Sequence, residues 1–317
     1  MELGQEAGPA LETAATTEEL AALRAQLPST LQLGTCGWAY PGWRGIVWEG
    51  SPTREELEKN GLAAYARHPL MTAIFIEPAH DAVPLLSELR LIAEQLPRDM
   101  HCVLQVHPEV TTPRFTHANH ELAEGREGSV NPHFLDSRFF LREIVEVYQS
   151  AFGDRLGPFL FVFPPQLERA GISCEAFQER LHRFLAVLPQ DLAYAVELRE
   201  PVYLTVFYAK LLAAYNVSHV FTTAANMPSL LEQARLVPTS PELIVHVVDP
   251  TLQGAARRER LEPFDRVQDR SVTTRREIVR LLTALRGVPA YVLVHNEAEG
   301  SAPLTILALA RMLAASR

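Results

Sequence analysis

Cysteine is scarce in this chain: three residues in 317, Cys36, Cys102 and Cys174, with neither CxxC spacing nor an even count. That excludes a disulfide framework and leaves buried, reduced thiols as the expectation, in keeping with the cytosol. Positive charge is in deficit too. Lys and Arg number 29 against 38 Asp and Glu, a formal net charge of −9 at pH 7, so overall charge does not suit nucleic acid, whose phosphates draw on clustered Lys and Arg. No secretory leader is expected: "MELGQEAGPALETAATTEEL" is acidic and has no apolar stretch, and no later run is long enough to span a bilayer. A cytoplasmic protein without membrane contact is expected. No GxGxxG follows the first apolar run, nothing resembles a P-loop, HExxH does not occur, and no Ser or Cys sits in a nucleophile elbow.

What remains is a globular composition, 47% hydrophobic and 21% charged, arranged as an alternation. Short, nearly continuous apolar runs occur at 31–36, 72–77, 101–107, 159–164, 193–199, 218–223, 242–248 and 290–296. Such runs are what strands covered on both faces require. Helical patterns lie between them, near 54–67, 81–96, 134–152, 174–188, 203–215, 227–235 and 273–287, with a last one near 303–315. Eight repeats of strand and helix predict an α/β fold with a parallel sheet closed into a (β/α)8 TIM barrel rather than an open doubly wound sheet. Residues 1–28 are expected to be an N-terminal extension, partly flexible, in which Thr16 and Glu19 have capping-box spacing ahead of a short helix. Residues 29–317 then form a single barrel domain. Two connections, 108–133 and 249–272, are long for turns, and both leave the carboxyl ends of strands, where barrels keep their sites. The second carries "RRERLEPFDRVQDR", either a solvated surface loop or a source of anion contacts from Arg257, Arg258 or Arg260.

The barrel predicts that chemistry sits at the strand ends. The polar residues there are Thr35, Trp38, Tyr40, Glu77, His107, Gln166, Glu197, Arg199, Thr222, Thr223, His246, Asp249, His295, Asn296 and Glu297. Carboxylates ending apolar strands point to a polar cavity. Glu197 and Arg199 stand two apart and face one side, as an ion pair plugging the barrel or as a ligand-orienting pair. His107, His246 and His295 with Glu77, Glu197 and Asp249 could converge on a divalent metal, although each histidine alone also fits a hydrogen-bonded core role. In "LGTCGWAYPGWRG" (33–45), Trp38, Tyr40 and Trp43 either wall a pocket and stack on a planar or sugar-like ligand, or cap the barrel. No heptad repeat or exposed apolar stripe defines an oligomeric state.

"GTCGWAYPGWRG" resembles the opening motif of the DUF72 (YecE-like) family of TIM-barrel proteins, whose activity is not established. The resemblance continues through "TTPRFTH" (111–117), "FVFPPQ" (161–166), "VELRE" (196–200) and "HNEAEGSA" (295–302), and spans roughly 31–315. It implies that Trp38, Tyr40, Arg44, His117, Glu197, Arg199 and Asn296 take family positions. The chain departs from the pattern at Phe75 and Glu77 followed by His80-Asp81, at His246-x-Val248, and at His295, so it resembles a divergent member.

Together these expectations describe a hydrolase or lyase acting on a small polar or anionic molecule. Glu197, His246 and His295 are the candidate catalytic groups, and Trp38, Tyr40, Arg44, Glu77, His117, Arg199 and Asn296 the candidate binding groups. The alternatives are a ligand-binding protein without chemistry and a nucleic-acid-binding or phosphodiesterase-like protein.

Overall fold

The structure is a computed structural model, and it describes residues 11, 13–14, 18–78, 83–116, 125–165, 167–238 and 240–316. Eight strands form one closed parallel barrel in sequence order: β1 Leu31–Cys36, β2 Ala73–Ile76, β3 His101–Gln105, β4 Leu156–Val162, β5 Tyr194–Glu197, β6 Ser218–Thr222, β7 Leu243–Val247 and β8 Ala290–Val294. Closure is made by β1, which pairs with β2 through Gly34↔Ala73 and with β8 through Leu33↔Val292. The expected barrel is the fold. All eight apolar runs are strands, most of them shorter than the run that contains them, and β4 begins three residues earlier than its run.

Helices follow the strands and begin where local chemistry satisfies their free N–H groups. Thr53 and Glu56 form a capping box at the start of Arg54–Tyr65, and Ser229 and Glu232 do the same for Leu230–Leu236. Ser173 caps Cys174–Leu185, and Ser271 caps Val272–Ala284. The segment before β4 is helical from Ser137 to Phe152, with a widened π-type turn over Phe140–Val145. In the N-terminal extension a helix spans Glu18–Ala25; Thr16, His80, Asp81, His117 and Gln166 lie outside the described residues.

Alternation along the strands divides the core in two. Leu31, Leu33, Val196, Val245 and Val292 point outward into the layer between sheet and helices. Ala73, Val103, Leu160, Ala195, Val220, Ile244 and Leu293 point inward and fill the barrel. Carried two residues further, the inward parity of β1, β5, β6, β7 and β8 places Cys36, Glu197, Thr222, His246 and His295 over the barrel axis at its carboxyl end.

The long connection after β7 is not all loop. It contains a helix, Ala255–Leu261, too short and too charged to show a period in the sequence. It docks on the loop after β1 at Gly42, where an added Cβ would lie 1.7 Å from the carbonyl oxygen of Pro263. Gly42→Ala is therefore expected to lower stability by about 1–3 kcal/mol through forced separation of the two loops. Urea denaturation checks this, and an unchanged midpoint would show that the loops are not held together there.

Candidate functional site

Glu197 ends β5 with no solvent exposure, and every direction around its carboxylate is occupied by a donor. Arg199 Nε donates to Oε1 at 3.0 Å, and Thr222 Oγ1 donates to the same oxygen at 3.1 Å. His246 Nδ1 lies 2.6 Å from Oε2. Burial alone would raise the Glu197 pKa, but the charges and hydrogen bonds of His246 and Arg199 outweigh it and hold the carboxyl well below the usual carboxylate range. Glu197 is thus a carboxylate, and the ring nitrogen facing it carries a proton.

That fixes what the other side of His246 can do. Its Nε2 lies 2.8 Å from Nε2 of His295, the residue just after β8, and 3.5 Å from Sγ of Cys36. The His295 side chain keeps 19% of its exposure. Burial first, and the neighbouring His246 second, push its pKa well below the ordinary value, so the ring is uncharged at neutral pH. Burial, reinforced by Glu77 and Glu197, pushes the Cys36 thiol up. A column of side chains, Thr222, Glu197, His246, His295, therefore runs from the interior to the surface of the barrel mouth, and Arg199, 30% exposed, reaches Glu197 from the side of the mouth.

The column ends in a cavity of about 590 Å³ whose polar lining includes Glu77, Gln105, Arg199, Arg258, His295 and Glu297. Glu77 Oε1 is 3.9 Å from His295 Nε2, and Glu297 Oε2 is 4.0 Å from His295 Nδ1. Glu297 also pairs with Arg258 at 3.2 Å, and its carboxyl pKa is raised, chiefly by burial. Two arginines, Arg199 and Arg258, and three carboxylates, Glu77, Asp249 and Glu297, thus line the cavity with one imidazole, and the arginines suit a polar ligand bearing an anionic group.

The other residues singled out in the sequence divide clearly. Trp38 and Tyr40 line a neighbouring depression of about 290 Å³ that shares Glu77 with the main cavity. Trp38 Nε1 donates to the Leu57 carbonyl at 3.0 Å, and Tyr40 OH to the Cys36 carbonyl at 3.4 Å. Trp43 is fully buried against Trp48. The opening loop therefore both caps the barrel and walls a second recess. Arg44 and Asn296, expected to touch substrate, line neither cavity. The tight turn Pro41–Trp43 sends Trp43 inward and so sends Arg44 outward, where it is exposed. Asn296 is buried; its Oδ1 accepts from Trp43 Nε1 at 3.1 Å and from the Ala302 N–H at 2.9 Å, tying the loops after β1 and β8 to the last helix, Ala302–Ala315.

The metal grouping expected from the sequence changes as well. His107 caps the short helix Pro108–Thr111, its Nδ1 accepting from the Glu109 N–H at 3.2 Å. Asp249 is held by Thr251 and by Arg257. Glu197 stands behind His246 rather than beside His295. Only His246 and His295 of that grouping converge, and Cys36 joins them. Of the three arginines singled out in the 249–272 connection, Arg257 is buried on Asp249, Asp269 and the carbonyls of Glu297 and Ala298, Arg260 pairs with Asp269, and Arg258 alone lines the cavity.

A parallel barrel with this opening motif and this mouth defines the class of protein, and sequence comparison agrees. A family model described as "Protein of unknown function DUF72" matches residues 32–317. The chain belongs to that family. Among solved structures it is similar to a DUF72 family protein from Enterococcus faecalis V583, with TM-score 0.58 and 14% identity over 89% of this chain and 95% of that one. It is similar also to a DUF72 family protein from Thermotoga maritima MSB8, with TM-score 0.56 and 17% identity over 89% and 98% of the two chains. At these identities the likeness is one of fold. No curated protein matches the sequence. Among the described residues no helix is long and apolar enough to cross a membrane.

Proposed function

We propose that the chain is an enzyme, a hydrolase or lyase that takes a small polar substrate bearing an anionic group at the carboxyl end of the barrel. The observation that carries this reading is the buried column Glu197–His246–His295 ending in a 590 Å³ cavity between Arg199 and Arg258. A buried carboxylate behind two imidazoles in Nε2–Nε2 contact fixes the direction of the outermost ring, so a hydroxyl or water placed against His295 would meet an oriented partner. Arg199 and Arg258 supply the countercharge for an anionic group, and Glu77 and Glu297 stand within reach of a second polar group of the same substrate. Trp38 and Tyr40, in the adjoining recess, offer faces to a planar or sugar-like extension.

The test is a panel of phosphate esters, carboxylate esters and hydroxy acids, scored by turnover and by thermal shift. Arg258 is 42% exposed and its partner Glu262 53% exposed, while its other partner, Glu297, is 15% exposed, so Arg258→Met is expected to change stability by only about 1 kcal/mol. On any substrate that turns over, the same variant is expected to raise KM by roughly 10-fold or more. A saturable thermal shift without turnover by any member would replace this reading with a ligand-binding protein that performs no chemistry.

A further inference from the structure

We propose that Cys36, His246 and His295 form a binding site for a zinc-like divalent ion at the floor of the cavity. The three side chains come from the ends of β1, β7 and β8, and their donor atoms, Cys36 Sγ and the two Nε2 atoms, all lie within 4.8 Å of one another. Tetrahedral zinc with Zn–N near 2.0–2.1 Å and Zn–S near 2.3 Å sets donor-to-donor edges of roughly 3.3 Å between nitrogens and roughly 3.6 Å between nitrogen and sulfur. The Cys36–His246 contact, 3.5 Å, already has that length. The His246–His295 contact, 2.8 Å, needs to open by about half an ångström, well within a side-chain adjustment for the part-exposed His295 ring.

The Nδ1–H of His246 is directed at Glu197, so in the neutral ring the Nε2 lone pair faces a second Nε2 and a thiol, both within hydrogen-bond distance of it. Metal-ligating histidines characteristically give their other N–H to a carboxylate, which sets the ring's direction and tautomer. Glu197 does this for His246, and it is itself fixed by Arg199 and Thr222. Of the trio His295 lines the cavity, where Glu77 Oε1 is 3.9 Å from its Nε2. Three protein donors with one side toward a substrate cavity is the pattern of a catalytic ion rather than a structural one. A thiolate with two imidazoles favours zinc over magnesium or calcium, which take oxygen donors. An ion here would act as a Lewis acid on whatever group enters the cavity. The inference rests on the reading of that cavity as an active site only for this last consequence.

The test uses the full chain, without a histidine tag, stripped with a chelator and titrated with Co²⁺ as an optical stand-in for Zn²⁺. One equivalent is expected to bind with the visible bands of tetrahedral cobalt and a near-ultraviolet thiolate-to-metal band, and one equivalent of Zn²⁺ is expected to displace it. Cys36→Ser is expected to abolish the thiolate band, and His295→Asn to weaken binding on the order of 100-fold or more. Arg258→Met, which lines the cavity but holds no donor of the trio, is expected to bind the ion as the wild type does. Binding well below one equivalent, or wild-type cobalt spectra without the thiolate band, would overturn the site, and the wild-type spectrum decides even if Cys36→Ser fails to fold. Stoichiometric metal without turnover on the substrate panel would leave the ion site standing and remove the enzyme reading. Turnover that survives chelation, with no metal bound, would do the reverse.

Discussion

Glu197→Gln is expected to lower the free energy of unfolding by about 3–5 kcal/mol, the usual cost of removing one partner from a buried charge pair. The carboxylate accepts from three donors at zero exposure. Glutamine returns one acceptor oxygen and replaces the other with an amide that donates. Its NH₂ then faces either the His246 N–H or the Arg199 and Thr222 donors, and the Arg199 charge loses its counterion. For a domain of this size the loss corresponds to a fall in Tm of roughly 10 °C. Urea unfolding of the variant measures it directly. A loss under about 1 kcal/mol would mean that the column is solvated and loose, which would also remove the rigidity on which the reading of His295 depends. Because stability and site share this residue, loss of activity in Glu197→Gln says little by itself; Arg258→Met is the variant that separates them.

The barrel was legible in the sequence because parallel strands buried on both faces leave continuous apolar runs, and eight of them alternate with capped helical patterns. The same property concealed the site's thiol. In "LQLGTC" every residue of β1 but the half-buried Gln32 sits in protein, so no sustained polar-apolar alternation marks which parity faces the axis. Only the closed register, with Cys36 beside Phe75 in the inner layer, turns Cys36 toward His246. Glu197, His246 and His295 could be named beforehand because a charged or imidazole group at the end of an apolar strand stands out against its neighbours. Arg44 and Asn296 were placed at the mouth by the motif they belong to, yet their direction is set by a three-residue turn and by the Trp43 indole, neither of which has a one-dimensional signature. The charge-rich 257–260 segment shows the same limit. Which of three neighbouring arginines faces the cavity depends on the rotation of a two-turn helix, and Arg258 is the one so presented.

Acid is expected to destabilise the chain through two histidines that lie outside the column. His219 is fully buried on β6, with Nδ1 3.0 Å from the Tyr208 hydroxyl and the Phe221 ring against it. His68 is buried after the helix Arg54–Tyr65, its Nδ1 accepting from the Leu70 N–H. Burial lowers each to about 4 from an ordinary 6.5, and for His219 the Gln233 side chain as acceptor and the Glu197 charge only partly offset it. The folded values lie below the unfolded ones, so the unfolded chain takes up protons first as pH falls. The contribution of each ring is complete above pH 6.5, declines through the window from 6.5 to about 4, and is lost below it. At pH 4.5 the loss is about 2.5 kcal/mol per histidine, or about 5 kcal/mol for the pair. Urea unfolding at pH 7 and pH 4.5 measures the loss, to which the depressed His295 ring also adds, and His219→Gln, which keeps a polar group beside Tyr208 but cannot take up the proton, is expected to reduce it by about 2.5 kcal/mol. An unchanged slope in that variant would show that protons enter elsewhere, with the buried imidazoles already charged or reached by solvent.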